Sequence, residues 1–394
     1  MDYWYMVMQD KPTTAWGIVR GWSQSAVMTR LLVYGMAGIS ALSMLLMIPA
    51  LVIGQWLPEG PKIAYMSADN FSGWYNWNIY LLDVDRRLSQ PVTNGTQYER
   101  YPSWSPDGRY LIYHANQRGS YDLYSIDLIN GVPPLERTQI LSPNEFPPTN
   151  NFPDQNFSDT PFDAEESPLE PLNDDIDNGR RMFPLSEISQ AYNEAMPQWS
   201  PDGRYIAYHA NNGRGIYNIF LTDRDGVDVT QVTYSETGNA IRLMWSPDGK
   251  RAVYTVENPV GGMNLYIANV EELLTGSFSN PYPGTPITEE NYDENWFPAW
   301  SPDGEQIVFV SVRTGDQDLY VIDATGGTAT NITGTLAVEE TQPVWTPDGR
   351  ILFSSNRYGS YDLYIMDADG SNLTRLTFDN NASEEAPAWQ PQPN

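Results

Sequence analysis

Apolar and polar residues alternate in short runs along most of the chain after residue 60. In each repeat an apolar run ends at a tryptophan, and a second run alternates, as in LIYHA at 111–115 and ILFSS at 351–355. A polar loop with glycine follows, then a run of the Asp-Leu-Tyr type, and then a run such as TRLTF at 374–378. Alternation of period two over four short runs predicts four antiparallel strands per repeat.

The turn between the first two strands carries the motif Trp-Ser-Pro-Asp-Gly, in which proline fixes φ and glycine accepts a positive φ. The motif occurs five times, once with Thr346 in place of serine, and a sixth copy near the C-terminus lacks the Asp-Gly turn. Three intervals between tryptophans measure 44 to 46 residues, the period of a four-stranded propeller blade. The repeat-defining residues are Trp104, Trp199, Trp245, Trp300, Trp345, Trp389, Asp107, Gly108, Asp202, Gly203, Asp248, Gly249, Asp303, Gly304, Asp348 and Gly349.

The two ends of the repeat array complement each other. IAYMS at 63–67 and Asn78-Ile79-Tyr80 match a second and a third strand without a preceding motif, whereas 386–389 match a first strand with nothing after it. Joined, they complete a blade, and no sheet edge is left open. The prediction is an all-β, six-bladed propeller with blades at 61–93 plus 386–389, and roughly at 100–141, 195–233, 242–288, 297–333 and 342–378.

A transmembrane anchor is predicted before the propeller. No charged residue occurs from Leu31 to Leu57, a run long enough to cross a bilayer as one helix. Lys11, Arg20 and Arg30 precede this run, so the positive-inside bias predicts a cytoplasmic segment at 1–30 and an extracytoplasmic propeller at 58–394. This describes a single-pass signal-anchor protein of the cytoplasmic membrane with a periplasmic domain. A buried core helix is the alternative for residues 31–57.

One interval, between the first two tryptophans of the motif, holds about fifty extra residues. The insert, near 142–192, is rich in proline, asparagine and acidic residues. Such a composition buries too little apolar surface to order itself, so an acidic, mobile insert is predicted.

Composition narrows the functional classes. The 394 residues include 50 acidic and 22 basic side chains, a net charge of −28, and this field repels nucleic-acid phosphates. The absence of cysteine excludes disulfides, thiolate metal sites and a cysteine nucleophile. No Gly-x-Ser-x-Gly, His-Glu-x-x-His or phosphate-binding loop occurs either. We therefore expect no catalytic residues and no cofactor, and calcium is the alternative.

The repeats closely resemble those of the TolB-type six-bladed β-propellers. The resemblance rests on the tryptophan motif, the loop Ser355-Asn356-Arg357 and strands such as Asp362-Leu363-Tyr364, and it covers 61–394 apart from the insert. It implies the propeller fold. It also implies a partner-binding role, because TolB-type proteins work as components of an envelope complex. Similar repeats occur in propellers attached to peptidases and in scaffold proteins, so the fold leaves the function open.

Charged residues recur on one predicted face of the ring, where the loops between second and third strands meet the links between blades. A glutamate precedes the tryptophan by five positions in four blades, and arginines recur in the loops: Glu99, Glu194, Glu340, Glu384, Arg118, Arg214, Arg313 and Arg357. One hypothesis is a charged channel mouth that binds a peptide, a basic tail or a divalent ion. The alternative is that each glutamate is held by a neighbouring amide or arginine and seals adjacent blades.

The two histidines, His114 and His209, occupy the same position in neighbouring blades. A metal pair or an acid-base role is conceivable, but no third ligand accompanies them, which favours a structural role. Asp223-Arg224-Asp225-Gly226 and Asp367-Ala368-Asp369-Gly370 resemble fragments of calcium loops, and hairpin turns explain them better.

The sequence favours a membrane-anchored scaffold that binds a protein or peptide, and an accessory subunit of a membrane complex is a further hypothesis. The alternative is a glycan-acting hydrolase or lyase that uses carboxylates at the channel mouth.

Overall fold

The computed structural model describes residues 60–69, 76–93, 98–116, 121–128, 194–211, 215–226, 228–258, 261–275, 281–288, 293–334, 337–379 and 382–391. These residues form six sheets arranged as successive blades, as the repeat predicted. The predicted anchor at 31–57, the insert at 142–192, Arg118 and Arg214 lie outside the described residues. Within the described ranges, no helix is long and apolar enough to cross a membrane.

Each blade is an antiparallel meander. The strands of blades 1 to 3 are β1 (Lys62–Asp69), β2 (Trp77–Asp83), β3 (Leu88–Pro91), β4 (Glu99–Trp104), β5 (Tyr110–Ala115), β6 (Asp122–Asp127), β7 (Glu194–Trp199), β8 (Tyr205–Asn211), β9 (Tyr217–Asp223) and β10 (Val229–Gln231). Those of blades 4 to 6 and the closing strand are β11 (Ala240–Trp245), β12 (Arg251–Glu257), β13 (Met263–Asn269), β14 (Thr285–Pro286), β15 (Asn295–Trp300), β16 (Gln306–Ser311), β17 (Asp318–Asp323), β18 (Thr330–Asn331), β19 (Glu340–Trp345), β20 (Arg350–Ser355), β21 (Asp362–Asp367), β22 (Thr374–Arg375) and β23 (Ala382–Trp389). A short helix, α1 (Val270–Thr275), follows β13 in the longer interval of blade 4.

The predicted closure of the ring is confirmed. Blade 1 has the strand order β23-β1-β2-β3, so the C-terminal strand is the innermost strand of the first blade. Its pairing with β1 runs from Ile63 opposite Trp389 to Asp69 opposite Ala382, which is longer than the predicted 386–389. Blade 2 shows three strands, β4-β5-β6, in its described residues, and the other blades show four.

The repeated motif forms the same turn in every copy. In the four described copies that carry serine, its hydroxyl lies 2.5–2.6 Å from the aspartate Oδ1 two residues later. The same carboxylate accepts the backbone N–H two residues further on at 3.0–3.1 Å. The glycine adopts φ of 66–82°, where any side chain is strained. These local bonds explain why the pentapeptide marks each blade so clearly.

The hydrophobic core lies between the blades rather than within one sheet. Six apolar clusters each combine residues of two neighbouring blades. Blade 6 meets blade 1 through Leu352 and Leu363 of one and Ile63 and Tyr65 of the other. Each sheet is therefore stabilised by both neighbours, which makes ring closure part of the core.

Tryptophans link consecutive blades at the inner edge. The indole N–H groups of Trp104, Trp245 and Trp300 donate to the carbonyl oxygens of Ala388, Gln198 and Met244 at 3.1, 3.4 and 3.0 Å. Each acceptor directly precedes the tryptophan of the preceding blade. The motif thus builds the turn and joins the blades around the channel.

Candidate functional site

The four predicted glutamates lie where innermost strands begin, and their side chains are buried. Glu99, Glu194 and Glu340 are the first residues of β4, β7 and β19 and are 0–1% exposed. Glu384 is the third residue of β23 and is 5% exposed. The amide of Glu340 donates to the carbonyl oxygen of Gln317 in the preceding blade at 2.8 Å, so these residues do lie beside the predicted loops.

Two of the four predicted arginines are described, and both reach back to the start of their own innermost strand. The Arg357 guanidinium lies 2.9 Å from Glu340 Oε1, and its Nε donates to the Ser355 hydroxyl. In blade 5, Arg313 makes the same approach to Asn295 Oδ1, also at 2.9 Å. The loop arginine therefore ties the loop to the strand within one blade, whereas the contact of Glu340 with the preceding blade is made by its backbone amide.

Glu384 differs from the other three because it lines a cavity of about 360 Å³ at the seam of blades 6 and 1. Burial raises the pKa of its carboxyl to about 7, a hydrogen bond from Thr377 opposes that rise, and the charges of Asp362 and Asp379 add to it. Asp362 is itself 2.8 Å from Arg375. The seam thus holds a carboxyl that changes charge near neutral pH.

A second ring of residues lines the channel axis, three positions before each tryptophan. They have φ of 50–54°, and the pairing register of all six innermost strands shifts beside them: Tyr101, Met196, Arg242, Phe297, Gln342 and Ala386. In β23 the shift falls between Glu385 and Ala388, on either side of Ala386. A positive φ is costly for residues with a Cβ, so its recurrence in every blade indicates a shared β-bulge of the innermost strand.

Side chains of this ring meet across the axis. The rings of Tyr101 and Phe297, from the opposite blades 2 and 5, stack with centroids 6.4 Å apart. The Arg242 guanidinium lies 4.6 Å from the Phe297 ring centroid and 5.8 Å from that of Tyr101. Gln342 accepts the amide of Ala386 at 2.7 Å. The ring therefore divides the channel into a part near the glutamates and a part near the tryptophans.

The two histidines hold bulge residues in place. His114 Nδ1 accepts the amide of Met196 at 3.0 Å, and His209 Nδ1 accepts the amide of Arg242 at 3.2 Å. Burial lowers the pKa of each imidazole to about 3, with a nearby positive charge adding to the shift. Neutral, buried and engaged by the next blade, they fit the structural role.

The aspartates that resemble calcium-loop fragments lie in hairpin turns. Asp223 accepts the amide of Gly226 through its carbonyl and that of Asp228 through its carboxylate. Asp369 accepts the amide of Ser371 at 2.9 Å. No group of three or more His, Asp or Glu side chains suited to a metal ion is found in the described ranges.

The tryptophan end of the channel contains a cavity of about 210 Å³. Five of the six innermost strands contribute to its wall, and Arg242 is the one charged residue there: Tyr101, Pro102, Ser103, Trp104, Gln198, Trp199, Arg242, Met244, Val344, Trp345, Ala386, Pro387, Ala388, Trp389 and Pro391. Sequence reasoning missed this site. The available signal was Arg242 itself, the one charged residue three positions before a repeat tryptophan.

Comparison with known proteins supports the fold. Residues 285–394 match the family model of the TolB beta propeller domain. The Tol-Pal system protein TolB of Xanthomonas campestris pv. campestris is 30% identical over 70 residues, 18% of this chain and 16% of that protein. The uncharacterized peptidase YuxL of Bacillus subtilis is 42% identical over 53 residues, 13% of this chain and 8% of that protein.

A solved structure extends the likeness over most of the propeller. The crystal structure of TolB from Acinetobacter baumannii is similar with a TM-score of 0.59 at 18% identity, over 84% of this chain and 67% of that chain. At this identity the likeness shows the six-bladed fold. The chain spans less than a fifth of the length of the curated relatives it matches.

Proposed function

We propose that this protein is a binding module for a protein or peptide partner, held by its N-terminal segment at the extracytoplasmic face of the cytoplasmic membrane. The observation that carries the proposal is the cavity at the tryptophan end of the channel, walled by five blades of a closed ring. A concave site in which aromatic and aliphatic side chains surround polar groups is the form that ligand sites usually take.

The likeness to a Tol-Pal system protein supports partner binding, because that name describes a component of a protein system. The uncharged run at 31–57 supports the membrane tether. Together they favour an accessory subunit whose propeller presents one end of its channel to other subunits.

A carboxylate-based enzyme is less well supported. Such chemistry needs two carboxyl groups that reach the substrate at a fixed separation. Glu99, Glu194 and Glu340 are at most 1% exposed, and Glu340 is paired with Arg357. The likeness over 53 residues to an uncharacterized peptidase favours a peptide-like ligand.

The test is affinity purification of the full chain from mild detergent, followed by mass spectrometry. We expect a stoichiometric protein partner, which a variant with a filled cavity, Ala388→Trp, fails to retain. A matched surface variant, Leu373→Trp, changes an exposed residue away from the cavity and retains it. Recovery of no partner, or equal recovery with both variants, would contradict the proposal.

A further inference from the structure

The cavity at the tryptophan end of the channel combines one buried cation with a wall that contains no carboxylate. This is unusual for a chain with 50 acidic and 22 basic residues. Arginine is rarely buried without a partner, since leaving an uncompensated charge in the interior is costly. A positively charged wall without a counter-ion therefore points to a ligand that supplies one.

Arg242 is held by aromatic and weakly polar groups rather than by an anion. It is 6% exposed, lies over the Phe297 and Tyr101 rings, and contacts the Met196 sulfur at 3.6 Å. Its Nε has no hydrogen-bond partner among the described residues. Burial lowers the pKa of the guanidinium to about 10, so it still carries its charge at neutral pH.

Its backbone is equally constrained. Arg242 adopts φ 54°, and His209 accepts its amide at 3.2 Å. Arg242 is therefore held in place in the cavity wall before any ligand arrives, which lowers the entropy lost on binding.

Two further donors in the same wall lack acceptors. The indole N–H groups of Trp199 and Trp345 are buried and have no hydrogen-bond partner in the described part of the chain. The equivalent groups of Trp104, Trp245 and Trp300 all donate to a carbonyl of the preceding blade. Trp199 and Trp345 both belong to the wall of this cavity.

We propose that this cavity binds a monocarboxylate, with its carboxylate on Arg242 and its apolar body against the tryptophans and prolines. This rests on the proposed function and specifies the chemistry of the partner: the free carboxyl end of a peptide chain or a free small organic acid. Guanidinium and carboxylate match as a planar, bidentate pair.

The charge balance selects a monoanion. A single arginine neutralises one negative charge, whereas a phosphate monoester carries about 1.5 to 2 at neutral pH. The remainder would have to stay uncompensated in a wall whose other side chains, including those of Ser103 and Gln198, are uncharged. The protein's net charge of −28 further opposes a dianion.

Calorimetry on the full chain in detergent tests the proposal with two matched pairs of probes. These are 3-phenylpropionate with its amide, and the peptide N-acetyl-Ala-Ala-Phe as free acid and as C-terminal amide. We expect each acid to bind at least about tenfold more tightly than its amide, since charge-assisted hydrogen bonds are lost with the amide. A tighter peptide acid identifies a chain end as ligand, and equal affinities of the two acids identify a small acid.

Variants of Arg242 test whether this residue causes the preference for acids over amides. Arg242→Gln should abolish the preference for acids, and Arg242→Lys should keep part of it through its point charge. Arg251→Gln is the control, because Arg251 also stacks on an aromatic ring, at 4.7 Å from Trp300, but lies outside the cavity wall. It should retain the full preference. Melting temperatures show whether the variants remain folded.

Equal binding of acid and amide to the unmodified protein, or an undiminished preference in a folded Arg242→Gln, overturns the proposal. The acid and amide comparison needs no variant, so it stays decisive if Arg242→Gln fails to fold. Recovery of a protein partner without acid preference removes only this inference. Acid preference without any recovered partner removes only the proposed function.

Discussion

The indole nitrogen of Trp104 lies 3.1 Å from the carbonyl oxygen of Ala388, joining residues 284 positions apart across the closure of the ring. Its equivalent in Trp345 has no partner among the described residues. The same repeat position thus joins two blades through Trp104, whereas in Trp345 it carries an unpartnered donor beside the cavity.

This contrast predicts unequal costs for the same substitution. Trp104→Phe should lower the free energy of unfolding by about 1 kcal/mol more than Trp345→Phe, because only the first removes a made hydrogen bond. Both lose a similar volume, which makes Trp345→Phe the control. Urea unfolding followed by circular dichroism measures the difference. Equal losses would mean that the Trp104 bond contributes nothing to closure.

Removal of the closing strand should be far more damaging. A chain that ends at residue 381 leaves β1 with an unpaired edge and exposes the seam of Ile63, Tyr65 and Leu352. We expect loss of a cooperative unfolding transition and concentration-dependent aggregation, since open edges pair with other chains. Calorimetry and light scattering are the measurements. A chain shortened only by residues 392–394 is the control and should behave like the full protein.

The pair of Glu340 and Arg357 decides between the sealing and binding interpretations of the glutamates. Glu340→Gln leaves a largely buried guanidinium without its counter-ion, so stability should fall by roughly 1–3 kcal/mol while partner recovery stays unchanged. The double variant with Arg357→Gln should recover part of that loss. Unchanged stability with lost partner binding would instead support a functional mouth.

Acid should destabilise the protein through its two histidines. Their pKa is about 3 when folded and near 6.5 when unfolded, so the stability they contribute is present above pH 6.5 and is lost as pH falls toward 3. Each contributes a slope of up to about 1.4 kcal/mol per pH unit. His114→Gln with His209→Gln should flatten unfolding free energy between pH 6 and 4, because glutamine accepts the same amide without titrating. An unchanged slope would assign acid sensitivity to other groups.

The contribution of Glu384 to stability has the opposite pH dependence to that of the histidines. Its pKa is raised from 4.5 to about 7, so its contribution is complete below pH 4.5 and is lost as pH rises through 7. Glu384→Gln should therefore change the free energy of unfolding, relative to the unmodified protein, more favourably at pH 8 than at pH 5. Urea unfolding at both pH values measures this difference. Glu305→Gln, which removes a carboxylate at an exposed turn position, is the control. Equal shifts in both variants would contradict a buried origin.

The sequence by itself determined the strands, the six blades and the pairing of the chain ends. These follow from features with local causes: alternation of period two, a turn held by its own serine and aspartate, and an unmatched strand at each end. It also predicted that the glutamates and the loop arginines share one face of the ring, and Glu340 and Arg357 meet there within a single repeat.

Only the tertiary structure decided what fills the channel. The stacking of Tyr101 on Phe297 and the packing of Arg242 against both rings bring together side chains of blades 2, 5 and 4. No periodic signal encodes such a contact, because each blade contributes a different side chain at the bulge. Whether the Arg242 guanidinium has a counter-ion within the protein depends on which side chains lie near the channel axis. Those side chains come together only when the ring is closed.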